Sequence, residues 1–183
     1  MDHSNSKLRM MILTALFTAI ICVLAQVTIP LPLVPITGQT LAIGLVATIL
    51  GSTHGALASL LYLIIGAVGI PVFASFSGGL GVLVGPTGGF IVAFIPTAFI
   101  IGYYLEKTSF TVLNAIIANI LGMFITLFIG TAWLKFAADL SWKAAFLGGF
   151  TPFIVVGIIK AILAAWFGIV VRNRLHTANL IVA

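Results

Sequence analysis

The chain has 183 residues, 62% of them hydrophobic and only 6% charged, with a formal net charge of +5. Soluble domains carry about 25% charged residues, so this composition excludes an ordinary soluble domain and predicts an integral membrane protein. Its basic residues flank hydrophobic runs, as topology determinants do, so the positive charge is no nucleic-acid signal.

Residues 1–9 (MDHSNSKLR) read as a polar tail ending in Lys7 and Arg9. The first span is expected over residues 10–29. Its apolar run continues past Ala25 without a convincing cleavage site, so it reads as a retained helix rather than a signal peptide. Cys22 is the only cysteine and lies in this run, so no disulfide within the chain can form. Ala15 and Ala19 form a small-xxx-small pattern that permits close approach of another helix.

Pro30, Pro32 and Pro35 then break the helix in PLPLVPITGQT, a rigid extended segment. A second span is placed at 36–50. Its apolar part, Thr40 to Leu50, is only 11 residues long and is short for a crossing. GSTHG (51–55) reads as a tight turn, and the third span covers 56–72, with Tyr62 inside it. The stretch from Gly69 to Gly89, GIPVFASFSGGLGVLVGPTGG, is rich in glycine and proline yet uncharged and hydrophobic. Such a segment is expected to pack into the protein as a lid or re-entrant loop, since a solvated loop would be more polar.

Spans follow at 90–104, interrupted by Pro96, and at 112–133, where Asn114, Asn119 and Thr126 are available for interhelical hydrogen bonds. Lys135, Asp139 and Lys143 mark a polar loop before the last span, 146–171. With six spans, Lys7, Arg9, Lys107, Arg172 and Arg174 fall on one face and Lys135 and Lys143 on the other. The positive-inside rule then puts both termini in the cytoplasm. The expected fold is therefore all-α: one membrane domain over 1–183, a compact bundle of six transmembrane helices.

The last span carries a single charge, Lys160, 12 residues before Arg172. That is roughly 18 Å of helix, too far for a lysine stem to snorkel. An ammonium near the bilayer midplane costs about 2.5–3.5 kcal/mol. The acidic residues Asp2, Glu106 and Asp139 all lie at the ends of hydrophobic segments. Lys160 therefore reads as half of an ion pair completed by a ligand anion; the plainer alternative is an ammonium bonded to carbonyls in the bundle.

Enzyme signatures are missing. The sequence has no G-x-S-x-G, no H-E-x-x-H, no P-loop and no paired aspartates within spans. His3, His54 and His176 lie at a terminus, a turn and a terminus, which argues against a metal site. GPTGG (85–89) reads equally as an anion nest of backbone amides or as a plain turn before a helix. No inverted repeat or acidic relay offers an energy source. A small bundle with a ligand-like site and no energy source is most simply a binding subunit that relies on other subunits.

Four segments carry a family resemblance: VPITGQTLA (34–42), YLIIGAVGIPVF (62–73), GLGVLVGPTGGF (79–90) and PFIVVGIIKAILAA (152–165). Together, and in this order, they resemble BioY, the biotin-specific substrate-binding S-component of energy-coupling factor (ECF) transporters. The resemblance spans residues 10–171. It implies a six-helix fold with high affinity for biotin at the outward face and no cofactor. It also implies a membrane coupling protein and two cytoplasmic ATPases as partners, with Ala15 and Ala19 as the contact motif for the coupling protein. In the family pattern an Asp stands three residues before the lysine of the last helix. Gly157 occupies that position here, so the acid's role does not carry over.

A biotin carboxylate suits Lys160. The ureido ring needs donors and acceptors, available from Thr37, Gln39, Thr87, Asn114 and Asn119. The apolar body suits Tyr62, Phe73 and a loop lined by Gly88 and Gly89, with Gly38 in the Thr-Gly-Gln segment. Two other readings stand beside this one: an S-component for another vitamin, and a small intramembrane enzyme or assembly factor using Lys160 on an intermediate.

Overall fold

The computed structural model describes residues 3–181. In chain order it has helix α1 (His3–Leu24), a ribbon of β1 (Thr28–Ile29) and β2 (Ile36–Thr37), and α2 (Gln39–Ala67). A 3₁₀ turn (Ala74–Phe76) and the short α3 (Leu80–Val84) follow. The rest comprises α4 (Gly88–Lys107), α5 (Val112–Ala137), α6 (Trp142–Gly149) and α7 (Phe153–Thr177). Among the described residues, five helices are long and apolar enough to cross a membrane: α1, α2, α4, α5 and α7.

Helix α1 begins at His3, within the expected polar tail, and ends at Leu24, five residues short of the expected limit at Ile29; the proline segment beyond it is extended, as expected, and pairs with itself. Thr28 faces Thr37 and Ile29 faces Ile36 in an antiparallel register. The Gly38 N–H then donates to the Val27 carbonyl at 2.8 Å, tying the start of α2 to the end of α1.

The expected spans 36–50 and 56–72 lie in α2, which doubles back on itself at Gly51. That residue has φ 81° and ψ −170°, a conformation essentially confined to glycine. Two observations establish the reversal. A Cβ placed on Gly55 would lie 3.0 Å from the Ala47 Cα. The Gln39 amide donates to the Tyr62 hydroxyl at 2.5 Å, although a continuous helix would set residues 23 apart in sequence at roughly 35 Å. The GSTHG turn is thus shorter than expected. One residue makes it, and 52–55 is already helical.

Charges from two other helices hold the reversal. Glu106, near the end of α4, accepts from the Ser52 N–H and from the Ser52 hydroxyl, each at 2.7 Å. Arg172 of α7 donates to the Ile49 carbonyl at 2.5 Å and lies 3.5 Å from the centre of the Phe110 ring. An acid thus sits at the N-terminus of the second arm and a base at the C-terminus of the first, each complementing a helix dipole. Gly102 lets α4 approach closely enough, because a Cβ there would run into the backbone of Gly51 and Ser52. Small residues at such crossings are what membrane helices use in place of a hydrophobic driving force.

Other boundaries move. The third span stops at Ala67, and α4 runs from Gly88 to Lys107 straight through Pro96. Neighbouring helices allow such a proline inside a membrane bundle. The expected single helix over 146–171 is two helices, α6 and α7, separated at Phe150–Pro152. Pro152 has no N–H to continue α6 and a φ of −66° suited to starting α7.

If the Gly51 conformation sets the hairpin, Gly51→Ala should lower the midpoint of thermal unfolding in detergent. The loss should correspond to about 1–3 kcal/mol from backbone strain, because the new Cβ also meets the Glu106 carboxylate. An unchanged midpoint would show that the turn adopts another geometry.

Candidate functional site

At the end of the bundle opposite Gly51 lies a mostly apolar cavity. Its wall is drawn from the proline segment and the start of α2, the Phe73–Ser77 stretch, α4, α5 and α7. Phe73, Phe90, Phe94, Met123 and Phe153 supply much of the apolar surface, and Thr37, Gln39, Thr40, Thr87, Asn119 and Lys160 the polar groups. A mainly apolar pocket with a few placed polar groups is the usual form of a small-molecule site.

Lys160 is half-buried and lines the cavity. Its ammonium donates to the Thr37 carbonyl at 2.6 Å and to the Thr40 hydroxyl at 3.3 Å. An ammonium has three donors, so one N–H is left for a ligand, and the positive charge meets only neutral oxygens. The break at Phe150–Pro152 changes where this residue stands in its helix. Lys160 lies in the third turn of α7, about 10 Å from the helix start, in the half nearer the cavity mouth.

Gln39 is the centre of a second polar group. Its Oε1 accepts from the Thr37 hydroxyl at 2.8 Å, and its Nε2 donates to Tyr62 Oη. Tyr62 is fully buried and does not line the cavity. It stands behind the wall, with Phe73 edge-on at 5.4 Å between ring centres. Phe73 does face the cavity. Across from Gln39, Asn119 donates to Thr48 Oγ1 at 2.9 Å and to the Ala115 carbonyl at 2.8 Å. Both its N–H groups are thereby used, which leaves Oδ1 as an acceptor. Thr97 and Thr126 bond each other at 2.8 Å along the same wall.

The glycine-rich segments contribute backbone shape more than side chains. Thr87 lines the cavity, whereas Gly88 and Gly89 do not. The Gly88 N–H donates to the Gly85 carbonyl at 3.1 Å, and a Cβ on Gly88 or Gly89 would collide with the Leu83 carbonyl or with Trp133. GPTGG is thus the turn that opens α4, and the amide of Gly88 is spent within it. Gly38 also stands outside the wall, its backbone pressed against the Leu24 carbonyl. Gly157 lines the cavity, and the Met123 sulfur fills the space its side chain would take, 2.5 Å from the position of a Cβ.

Asn114 lies elsewhere. It sits in the first turn of α5, at the Gly51 end, where its amide donates to the Ser109 hydroxyl at 2.8 Å and its N–H to Thr111 Oγ1. Its N–H is capped by Thr111, its side chain ties the helix start to Ser109, and it does not line the cavity. Sequence reasoning passed over Thr40, Met123 and Phe153. The proximity of Thr40 to Gln39 in the chain was the one available signal. On α1, Ala15 and Ala19 point outward and are exposed, while Leu13, Thr14, Phe17, Thr18 and Ile21 pack inward.

Comparison with known proteins places this geometry among relatives. Residues 1–177 match the BioY family. The chain is 47% identical over 175 residues to the biotin transporter BioY2 of Lactococcus lactis subsp. cremoris, covering 96% of each chain. It is 42% identical over 159 residues to the biotin transporter BioY of Thermotoga maritima, covering 86% of this chain and 92% of the relative. Among solved structures, it superimposes with a TM-score of 0.86 on the crystal structure of the S-component for biotin from an ECF-type ABC transporter. The two are 29% identical, and 94% of this chain and 95% of that one are covered.

Proposed function

This chain belongs to the BioY family, a multi-pass protein of the prokaryotic plasma membrane from a family of transporters rather than enzymes, and on that premise we propose that it is a biotin-binding S-component of an ECF-type vitamin transporter. It captures biotin at the extracellular side and delivers it through a membrane coupling protein and two cytoplasmic ATPases. The observation that carries this reading is Lys160: a charge with a spare N–H on the wall of an apolar cavity, suited to the carboxylate at the end of an apolar chain. The polar groups of Gln39 and Asn119 suit a ureido ring, and Phe73 and Phe90 its apolar body. Tyr62 supports the site from behind, and Asn114 has no part in it.

The two arms of α2 count as separate crossings, so that six helices form a single membrane domain. Lys7, Arg9, Lys107, Arg172 and Arg174 cluster at the Gly51 end, whereas Lys135 and Lys143 lie at the cavity end. The positive-inside rule makes the Gly51 end cytoplasmic, together with both termini, and turns the cavity outward.

The purified protein should bind biotin well below micromolar concentration in an equilibrium assay, and no binding at micromolar biotin would overturn the assignment. Lys160→Met keeps the apolar stem and removes the charge. Truncating one partner of a desolvated pair costs about 2–5 kcal/mol, or roughly thirty-fold or more in affinity. A biotin amide should bind the wild type weakly and lose little more in the variant, because groups in contact do not contribute independently. If the variant discriminates against the amide as strongly as wild type does, the carboxylate is held elsewhere.

Ala15 and Ala19, exposed on the outer face of α1, are the proposed contact with the coupling protein. Replacing either with Trp should leave biotin binding unchanged and reduce co-purification of the coupling protein, since a bulky side chain holds the helices apart. Undiminished co-purification of both variants would assign this face to lipid alone.

A further inference from the structure

We propose that Gln26 is the clasp of the cavity: it pins the strained Phe73–Ser77 wall to the end of α1 and thereby sets how fast a bound ligand escapes. The proposal concerns a residue outside the ligand contacts described above and does not depend on which ligand the cavity holds.

Phe73, Ala74 and Ser77 line the cavity, and between them the chain makes a turn of high energy. Ser75 and Phe76 have φ values of 56° and 55°, the left-handed region that non-glycine residues rarely occupy. Two consecutive residues in that region persist only where the surroundings enforce them. Phe76 is 72% exposed, so burial of its side chain is not the enforcing contact.

Gln26, two residues beyond the end of α1, supplies one. Its Oε1 accepts from the Phe76 N–H at 2.8 Å. Its Nε2 donates to the Val72 carbonyl at 3.1 Å and, at the same distance, to the Cys22 carbonyl in the last turn of α1. The amide orientation is dictated by its partners: rotating it would set an oxygen against two carbonyls and an NH₂ against an N–H. One side chain thus grips both sides of the turn, at Val72 and at Phe76, and anchors them to α1. Inside the wall, the Phe73 N–H donates to the Ser77 carbonyl at 2.9 Å and the Ser77 hydroxyl to the Ala74 carbonyl at 2.7 Å. These bonds close the turn on itself, whereas the Gln26 bonds fix where it sits. Releasing them lets the turn relax toward ordinary dihedrals and carries Phe73 off the cavity.

The test has two parts, on the full-length protein in detergent. The first is hydrogen exchange without ligand. In Gln26→Leu, and in Gln26→Ala, the amides of residues 72–77 should exchange about tenfold faster, the loss expected for two hydrogen bonds, with α4 and α5 unchanged. Unchanged exchange in that segment overturns the clasp. The second is the dissociation rate of labelled biotin, which should rise about tenfold in the same variants. Faster exchange with an unchanged dissociation rate also overturns the proposal, because the wall would then not gate the cavity. Adding Phe76→Gly, which accepts φ near 55° without strain, should restore slow release to Gln26→Leu. Release as fast as in the single variant would show that no strain is being held. If wild-type protein binds no biotin, the functional assignment fails, and the exchange measurement alone decides the clasp.

Discussion

The reversal at Gly51 is the constraint on which the rest of the structure depends. The first arm of α2, residues 39–50, is about 18 Å long, against a hydrocarbon core of about 30 Å. Its C-terminal end lies at the level where Glu106 and Arg172 hold the turn, so its start at Gln39 stops well short of the opposite surface and the extended proline segment has to complete the crossing. The depth it leaves unfilled is occupied by the proline segment, the Phe73–Ser77 wall and the cavity between them. A straight second helix of ordinary length would fill that space with its own side chains. The hairpin also brings Gln39 against Tyr62, so the turn builds the inner polar group of the site from a distance of the whole arm.

The same geometry explains how a lysine is tolerated on α7. Where the first arm gives way to the extended segment, the Thr37 carbonyl lies outside the helical ladder, and it is this oxygen that Lys160 engages. Irregular backbone at membrane depth is tolerated where it lines a cavity, and here it also solvates a charge. The missing acid at Gly157 fits this arrangement. The Met123 sulfur occupies the space that a side chain at 157 would take, and the neutral oxygens of Thr37 and Thr40 orient the ammonium without cancelling its charge.

Much of this was legible in the chain. The apolar runs, the three prolines, the uncharged glycine-rich stretch and the solitary Lys160 gave the helices, the irregular wall and one pole of the cavity. What escaped reading were effects of a single residue. Gly51 sits in GSTHG, where every residue favours a turn, and nothing local says that one alone makes it. Pro152 announces the break between α6 and α7, but the apolar run on either side masks it. Asn114, which does not line the cavity, misleads for a related reason. A polar residue in an apolar run suggests an interior role, yet Thr111 three positions earlier is a helix-capping signal. An aromatic such as Tyr62 next to a glycine-rich segment suits a ligand's apolar body, and nothing in the sequence distinguishes a cavity wall from the layer behind it. Only the hairpin shows that Tyr62 stands one layer behind.

The distribution of used and unused hydrogen-bonding capacity says what the cavity asks of an occupant. Gln39 is engaged at both ends of its amide, although each end keeps one further valence. Asn119 has spent both donors, so toward the cavity it accepts only. Lys160 retains a donor and an uncancelled charge. An occupant that leaves none of these unsatisfied brings an anion to α7 and an N–H to α5, with apolar atoms between Phe73 and Phe90. Since a buried polar group without a partner costs about 1–3 kcal/mol, the proposed site would reject a molecule lacking the anion or the N–H through its own unpaired groups. On the proposed assignment, selectivity would come from the demands of these three side chains, and the aromatic walls would contribute affinity without discriminating.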